Sequence, residues 1–173
     1  MQNQKSNSKL DLKKYKKNFE AHLMLYAPER FIKLLKNKGF NKIIFHIEST
    51  NNPNQIIEKI KELKLKAFIA INPETKLNKI LPYINKVDGI LFLGVHPGRE
   101  HQSFIPSVYK NISNLRKFDK KIKIQVDGGV NPEVIIKLAG LRVNYINSGS
   151  YISESKNPKE AFKKLNYLFK SKR

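Results

Sequence analysis

The chain has 173 residues, 40% of them hydrophobic and none of them Cys, which bounds it to about one domain with a sizeable core and excludes a disulfide framework or a thiolate nucleophile. No apolar stretch is long enough to span a bilayer, and the first 18 residues are polar and Lys-rich without an apolar run, so a secretory leader and a membrane anchor are argued against and a soluble, cytoplasmic protein is expected. The formal net charge of +20 fits either an anionic partner or a biased composition; Lys is spread along every amphipathic stretch and Arg occurs at only five positions, which favours composition over a dedicated nucleic-acid face.

In chain order, residues 1–17 show no strand pattern and read as a basic N-terminal arm with one or two helical turns, a helix over Leu10–Tyr15 being the other reading. From residue 18 to 173, short β-branched or aromatic runs alternate with amphipathic stretches. Strands are expected at Phe19–Leu25, Lys42–Ile47, Lys66–Ile71, Gly89–Val95, Ile122–Val126 and Asn144–Asn147. Helices are expected between and after them, at Pro28–Lys38, Pro53–Leu63, Leu77–Ile84, Ile105–Lys117, Pro132–Ala139 and Pro158–Lys170. Several begin with Pro, whose missing N–H does no harm in a first helical turn. In the first of them, Phe31, Leu34 and Leu35 fall at helical spacing on one face. A strand–loop–helix unit repeated six times predicts an α/β fold with a parallel sheet covered by helices, so ligands are expected at the C-terminal edge of the strands.

The richest segment is Ile124 to Ser150. One strand ends in the carboxylate Asp127, followed by Gly128 and Gly129; one helix later a second strand ends in Gly149 and Ser150. Asp127 can abstract a proton, hold a metal, or merely cap the next turn. The glycine turns can cradle a phosphate, because glycine lets backbone N–H groups approach an anion, or they can be ordinary connections. His22 lies in the first strand and His46 at the end of the second, with Glu48 on the same face by alternation. His22 and Asp127 belong to one sheet and share a site if that sheet curls. His96 and His101 fall in a polar, charged loop that suits either ligand contact or plain solvation.

These residues resemble the ribulose-phosphate 3-epimerase family. The likeness runs from about Phe19 to the last helix. It is carried, in the family's order, by His22-Leu23-Met24, Pro28-Glu29-Arg30-Phe31, Phe45-His46-Ile47-Glu48-Ser49-Thr50, Ala70-Ile71-Asn72-Pro73, Val95-His96-Pro97-Gly98 with Gln102 and Phe104, Val126-Asp127-Gly128-Gly129-Val130, and Ser148-Gly149-Ser150. The resemblance implies an incomplete TIM-type (β/α) barrel whose six strands correspond to strands three to eight. It implies interconversion of ribulose 5-phosphate and xylulose 5-phosphate, a step of the pentose phosphate pathway, by metal-assisted proton transfer at carbon 3. It makes Asp127 a metal ligand and acid/base group, His22 a second ligand of a divalent cation, most commonly zinc, and Met24 a neighbour of the enediolate. Gly98, Gly128, Gly129, Gly149 and Ser150 become the phosphate- and substrate-binding turns, and a pentulose 5-phosphate the ligand.

The same resemblance implies departures. The residues match from the family's third strand onward. The family's substrate-contacting Ser, second metal-binding His and partner Asp have no counterpart here, leaving His22 and Asp127 of four ligands and Asp127 of two acid/base carboxylates. Where the family has Phe-Gly-Gly, this chain has Arg99-Glu100-His101. His46 and Glu48 are strand-end candidates to replace the missing base, but the family carries the same residues beside its complete site. An open sheet has two unpaired edges, so a homo-oligomer is expected. Two other functions compete with the epimerase: a phosphosugar-binding or interaction protein derived from that family, and a basic nucleic-acid-associated protein.

Overall fold

The computed structural model describes residues 11–98 and 101–172. The first ten residues of the expected arm, together with Arg99, Glu100 and Arg173, lie outside them. Six strands form one sheet: β1 (Glu20–Leu23), β2 (Lys42–His46), β3 (Lys66–Ile71), β4 (Gly89–Leu93), β5 (Lys123–Asp127) and β6 (Tyr145–Asn147). They lie in sequence order and every neighbouring pair is parallel. Parallel neighbours need crossover connections, and the helices supply them: α1 (Ile32–Lys38), α2 (Pro53–Glu62), α3 (Ser107–Phe118), α4 (Pro132–Gly140), α5 (Ser150–Ser153) and α6 (Pro158–Ser171). The sheet is curled, a partial barrel as expected.

Three helices start on the same device. Asn52, Asn131 and Asn157 each precede a Pro, and each side-chain oxygen accepts a backbone N–H from the first turn of the helix it caps. The Asn oxygen satisfies a donor the helix cannot, while Pro presets φ at a position whose own N–H has no intrahelical partner. Behind the cap, Ile56, Ile57 and Ile60 of α2, Val134, Ile135 and Leu138 of α4, and Ala161 and Leu165 of α6 are buried. They pack in the main core with Ile43, Phe45, Ile69, Ile90, Phe92, Ile124 and Val126, one face of the sheet. Residues of the opposite parity, Ile44, Phe68, Ala70, Leu91 and Leu93, form a smaller apolar cluster on the concave face. The strands therefore bury both faces, which is why they read as near-continuous apolar runs.

Several local expectations are corrected. The stretch Leu77–Ile84 is not an α-helix but two 3-10 segments, Leu77–Lys79 and Leu81–Lys86. Pro82 accounts for this: it has no N–H to donate, and its ring would meet the carbonyl four residues back. The helix expected from Pro28 begins as a 3-10 turn, Pro28–Arg30, and turns α-helical only at Ile32. That offset buries Ile32 and leaves Phe31 and Leu34 exposed, against the apolar face that spacing suggested. The fourth strand stops at Leu93, two residues short of the expected end, with Gly94 N–H donating to Asp127 O at 2.7 Å as its last rung toward β5. Of the stretch Leu10–Tyr15 read alternatively as a helix, Leu10 lies outside the described residues, and residues 11–17 hold a turn, with Tyr15 N–H donating to Leu12 O; Leu12 N–H donates to Lys38 O at 2.8 Å and so ties the segment to the end of α1.

Candidate functional site

Alternation along the strands decides which side chains point into the curl. Glu20 and His22 on β1, Lys42 and His46 on β2, Gln125 and Asp127 on β5, and Asn147 on β6 share that parity. They form two layers. Deeper in, Gln125 is fully buried; its Oε1 accepts from Lys42 Nζ at 2.8 Å, and its Nε2 donates to Glu20 Oε1 at 2.7 Å and to Asn147 Oδ1 at 2.9 Å. Lys42 also pairs with the Glu20 carboxylate, and its ammonium lies 4.4 Å from the Phe68 ring centroid and 4.7 Å from that of Tyr145. Burial pushes the Glu20 carboxyl up, but the hydrogen bond and charge of Lys42, with Asn147 and Gln125, hold it below the usual glutamate value. This layer joins strands at opposite ends of the sheet.

The layer nearer the strand C-termini carries the chemistry. His22 Nδ1 lies 3.5 Å from Asp127 Oδ2, and His22 Nε2 lies 2.9 Å from His46 Nε2. His46 Nδ1 lies 3.4 Å from Glu48 Oε2. Four titratable groups thus run in line across the concave face. The expected meeting of His22 with Asp127 is found; the link through His46 is an addition that only the three-dimensional curl reveals. Burial alone would raise the Glu48 carboxyl, but hydrogen bonds from His46, the Asn72 N–H, the Thr75 hydroxyl and its own backbone N–H bring it down to about 2.

Beside Asp127 opens a cleft of about 330 Å³ lined by Gly128, Gly129, Gly149, Ser150, Val95, Gln102, His101 and Glu154. Both glycine turns therefore face one space next to the carboxylate. Gly128 and Gly129 have φ of +98° and +67°, a region that favours glycine. A Cβ on Gly129 would stand 2.7 Å from Phe104 N, so the turn is also too tight for a side chain. Ser150 opens the short helix α5, which the sequence reading did not include. His101 Nδ1 lies 3.3 Å from Glu154 Oε1 at the rim. Met24 and Gly98 stand apart from this cleft. Met24 lines a neighbouring one of about 220 Å³ with His46, Glu48 and Asn72, where the buried Asn72 Oδ1 accepts no hydrogen bond. Gly98 lines neither.

Among the described residues no group of three or more His, Cys, Asp or Glu is arranged to hold a metal ion. His22 and Asp127 remain a pair of donors. Their 3.5 Å separation is about the span between two ligands of one cation bound at roughly 2.0–2.2 Å, so the pair fits part of a coordination shell.

The sequence profile described as "Ribulose-phosphate 3 epimerase family" matches residues 7–153. The chain is 32% identical over 147 residues to ribulose-phosphate 3-epimerase of Schizosaccharomyces pombe, covering 85% of this chain and 64% of the relative. It is 37% identical over 142 residues to the enzyme of that name from Buchnera aphidicola subsp. Baizongia pistaciae, covering 80% and 62%. The cytoplasmic isoform of Oryza sativa is 31% identical over 159 residues, covering 89% and 70%. The chain spans less than two thirds of the length of the first two. Among solved structures it resembles KGPDC from Streptococcus mutans, with a TM-score of 0.75, 14% identity and coverage of 90% and 74%. It also resembles 3-hexulose-6-phosphate synthase from Salmonella typhimurium, with a TM-score of 0.70, 17% identity and coverage of 91% and 75%. These two likenesses concern the fold.

Proposed function

The chain belongs to the ribulose-phosphate 3-epimerase family, and from that premise we propose that it interconverts ribulose 5-phosphate and xylulose 5-phosphate by moving the proton on carbon 3. The carbon is acidic because a ketone adjoins it. Asp127 removes or returns that proton from one face: its side chain is 28% exposed, so a ligand reaches it, yet it stays within the curl. The 5-phosphate sits against the turns of Gly128, Gly129, Gly149 and Ser150, where short side chains let backbone N–H groups approach an anion. His22 and Asp127 hold a divalent cation, for which zinc suits a mixed imidazole and carboxylate pair. When bound, such a cation supplies positive charge beside the oxygens of the enediolate. The rice relative's name supports a cytoplasmic location, and no helix among the described residues is long and apolar enough to cross a membrane.

One observation carries the reading: Asp127, both glycine turns and Ser150 line one cleft, with His22 at 3.5 Å from the carboxylate. The test is a coupled assay of ribulose 5-phosphate turnover with added zinc. Turnover that Asp127→Asn reduces by a factor of about 100 or more supports the proposal. Wild-type turnover no greater than that of Asp127→Asn refutes it.

A further inference from the structure

The outer edge of β6 is open, and its surroundings specify what fits there. Gly94 N–H donates to Asp127 O, so Gln125 and Asp127 address their backbone groups to β4, and Ile124 and Val126 address theirs to β6. In the register Gln125↔Tyr145 and Asp127↔Asn147, Tyr145 and Asn147 turn theirs back to β5, which leaves Ile146 N–H and C=O on the open side. Among the described residues no further strand pairs there. Along this edge runs a cleft of about 510 Å³ between β6 and α6, which shares no lining residue with the cleft beside Asp127. Strand alternation divides its walls. Phe162, Leu165 and Phe169 line the convex side, and Glu20, Gln125 and Asn147 the concave one. Phe162 is 56% exposed, a large ring left to solvent beside unpaired backbone.

The rim of the cleft is basic. Exposed Lys159 and Lys170 stand on α6 one helical step from Phe162 and Asn166, on the solvent side. Lys163 is held by Glu160 at 2.9 Å, whereas Lys159 and Lys170 pair with no carboxylate among the described residues. We propose that the β6 edge is a docking groove for an extended acidic segment of a partner protein, which adds to the sheet as a seventh strand. The unpaired Ile146 backbone calls for a strand. The walls call for alternation: an apolar side chain toward Phe162, Leu165 and Phe169, then a hydrogen-bonding one toward Asn147, Gln125 and Glu20. The lysine rim calls for carboxylates on that segment. The net charge of +20 disfavours a second copy of this chain, which brings the same charge to the edge.

The test uses the full chain, isotope-labelled for NMR, and a synthetic capped peptide in which Val and Thr alternate between terminal Asp residues. The expected result is slowed hydrogen exchange at Ile146 N–H when the peptide is added, with shifts at Tyr145 and Asn147. Phe162→Glu is expected to weaken binding by about tenfold or more. Lys159→Glu combined with Lys170→Glu is expected to weaken it by about tenfold at low salt and by less at high salt. A central Pro in the peptide, which has no N–H to give, is expected to abolish binding. No binding of the Asp-ended peptide, equal binding of one ended by Lys, or equal binding of the Pro version overturns the proposal. So does protection of Ile146 in the chain alone that rises with concentration together with a doubled mass in sedimentation, because a second copy then fills the edge. If Phe162→Glu does not fold, the doubly substituted rim and the peptide controls decide.

Discussion

Asn147 Nδ2 donates to Glu20 Oε1 over 3.1 Å, joining side chains of the first and last strands of a sheet whose edge strands share no backbone pairing. Gln125 strengthens the tie from the neighbouring strand, and Lys42 neutralises it. The open edges of this partial barrel are thus bridged at one level by polar side chains, where parallel strand pairing is absent.

The bridge predicts a cost for breaking it. Lys42→Met leaves Glu20 without its cation and Gln125 without its donor. Urea unfolding is expected to show a loss of about 1.5–3 kcal/mol, the range for hydrogen bonds to a charged group, because the pair is only partly buried. Adding Glu20→Leu to that variant should recover part of the loss, because no stranded charge remains. A single-variant loss below about 0.5 kcal/mol would show the bridge to be ornamental to stability.

Acid should weaken the fold in a defined window. The Glu48 carboxyl lies near 2 in the folded chain against an ordinary 4.5, and Glu20 is also lowered. A depressed carboxyl contributes stability above its unfolded value and loses it as pH falls toward its folded one. Unfolding free energy is therefore expected to fall as pH drops from about 4.5 toward about 2, with a shallower slope in Glu48→Gln. An identical slope in that variant would contradict the assignment.

Two glycines should behave oppositely. Gly129→Ala forces a Cβ to 2.7 Å from Phe104 N at a φ of +67°, so it should destabilise by about 1–3 kcal/mol and impair phosphosugar binding. Gly140→Ala, at the end of α4 with nothing within 4 Å of its Cβ, should be tolerated or stabilise by about 0.5–1 kcal/mol. Thermal melts of the two variants check both signs.

Charge in the cleft offers a test of the anion site. Ser150→Glu places a carboxylate among Gly128, Gly129 and Gly149. Binding of the phosphosugar should weaken by about tenfold or more at low salt, and by less at high salt, where screening shortens the range of the repulsion. Equal binding at low salt would place the phosphate elsewhere.

Much of the fold was legible because each strand is a β-branched run and three helices announce themselves by Asn-Pro. The helix expected over Leu77–Ile84 is replaced by 3-10 turns because apolar spacing carries no information on Pro82, whose lost N–H and ring decide the local geometry. That Asp127, Gly128, Gly129, Gly149 and Ser150 line one cleft was legible because parallel strands bring their C-terminal loops to one edge. The contact of His22 with His46 was not: periodicity gives the face of each side chain but not how far a sheet curls, and that curl sets the distance between them. The Glu20–Lys42–Gln125–Asn147 layer escaped notice for a related reason. Its polar residues sit singly within apolar strands and become partners only across the concave face.

That layer has a consequence for the atoms above it. Glu20 and His22 are two residues apart on one strand, Gln125 and Asp127 two residues apart on another. The 2.7 Å bond between Gln125 and Glu20 therefore acts as a calliper, clamping the two strands one step below the pair His22 and Asp127. The gap between His22 and Asp127 is preset by neighbours one step away along the same strands, and a substitution at Gln125 would retune the jaws without touching either tip.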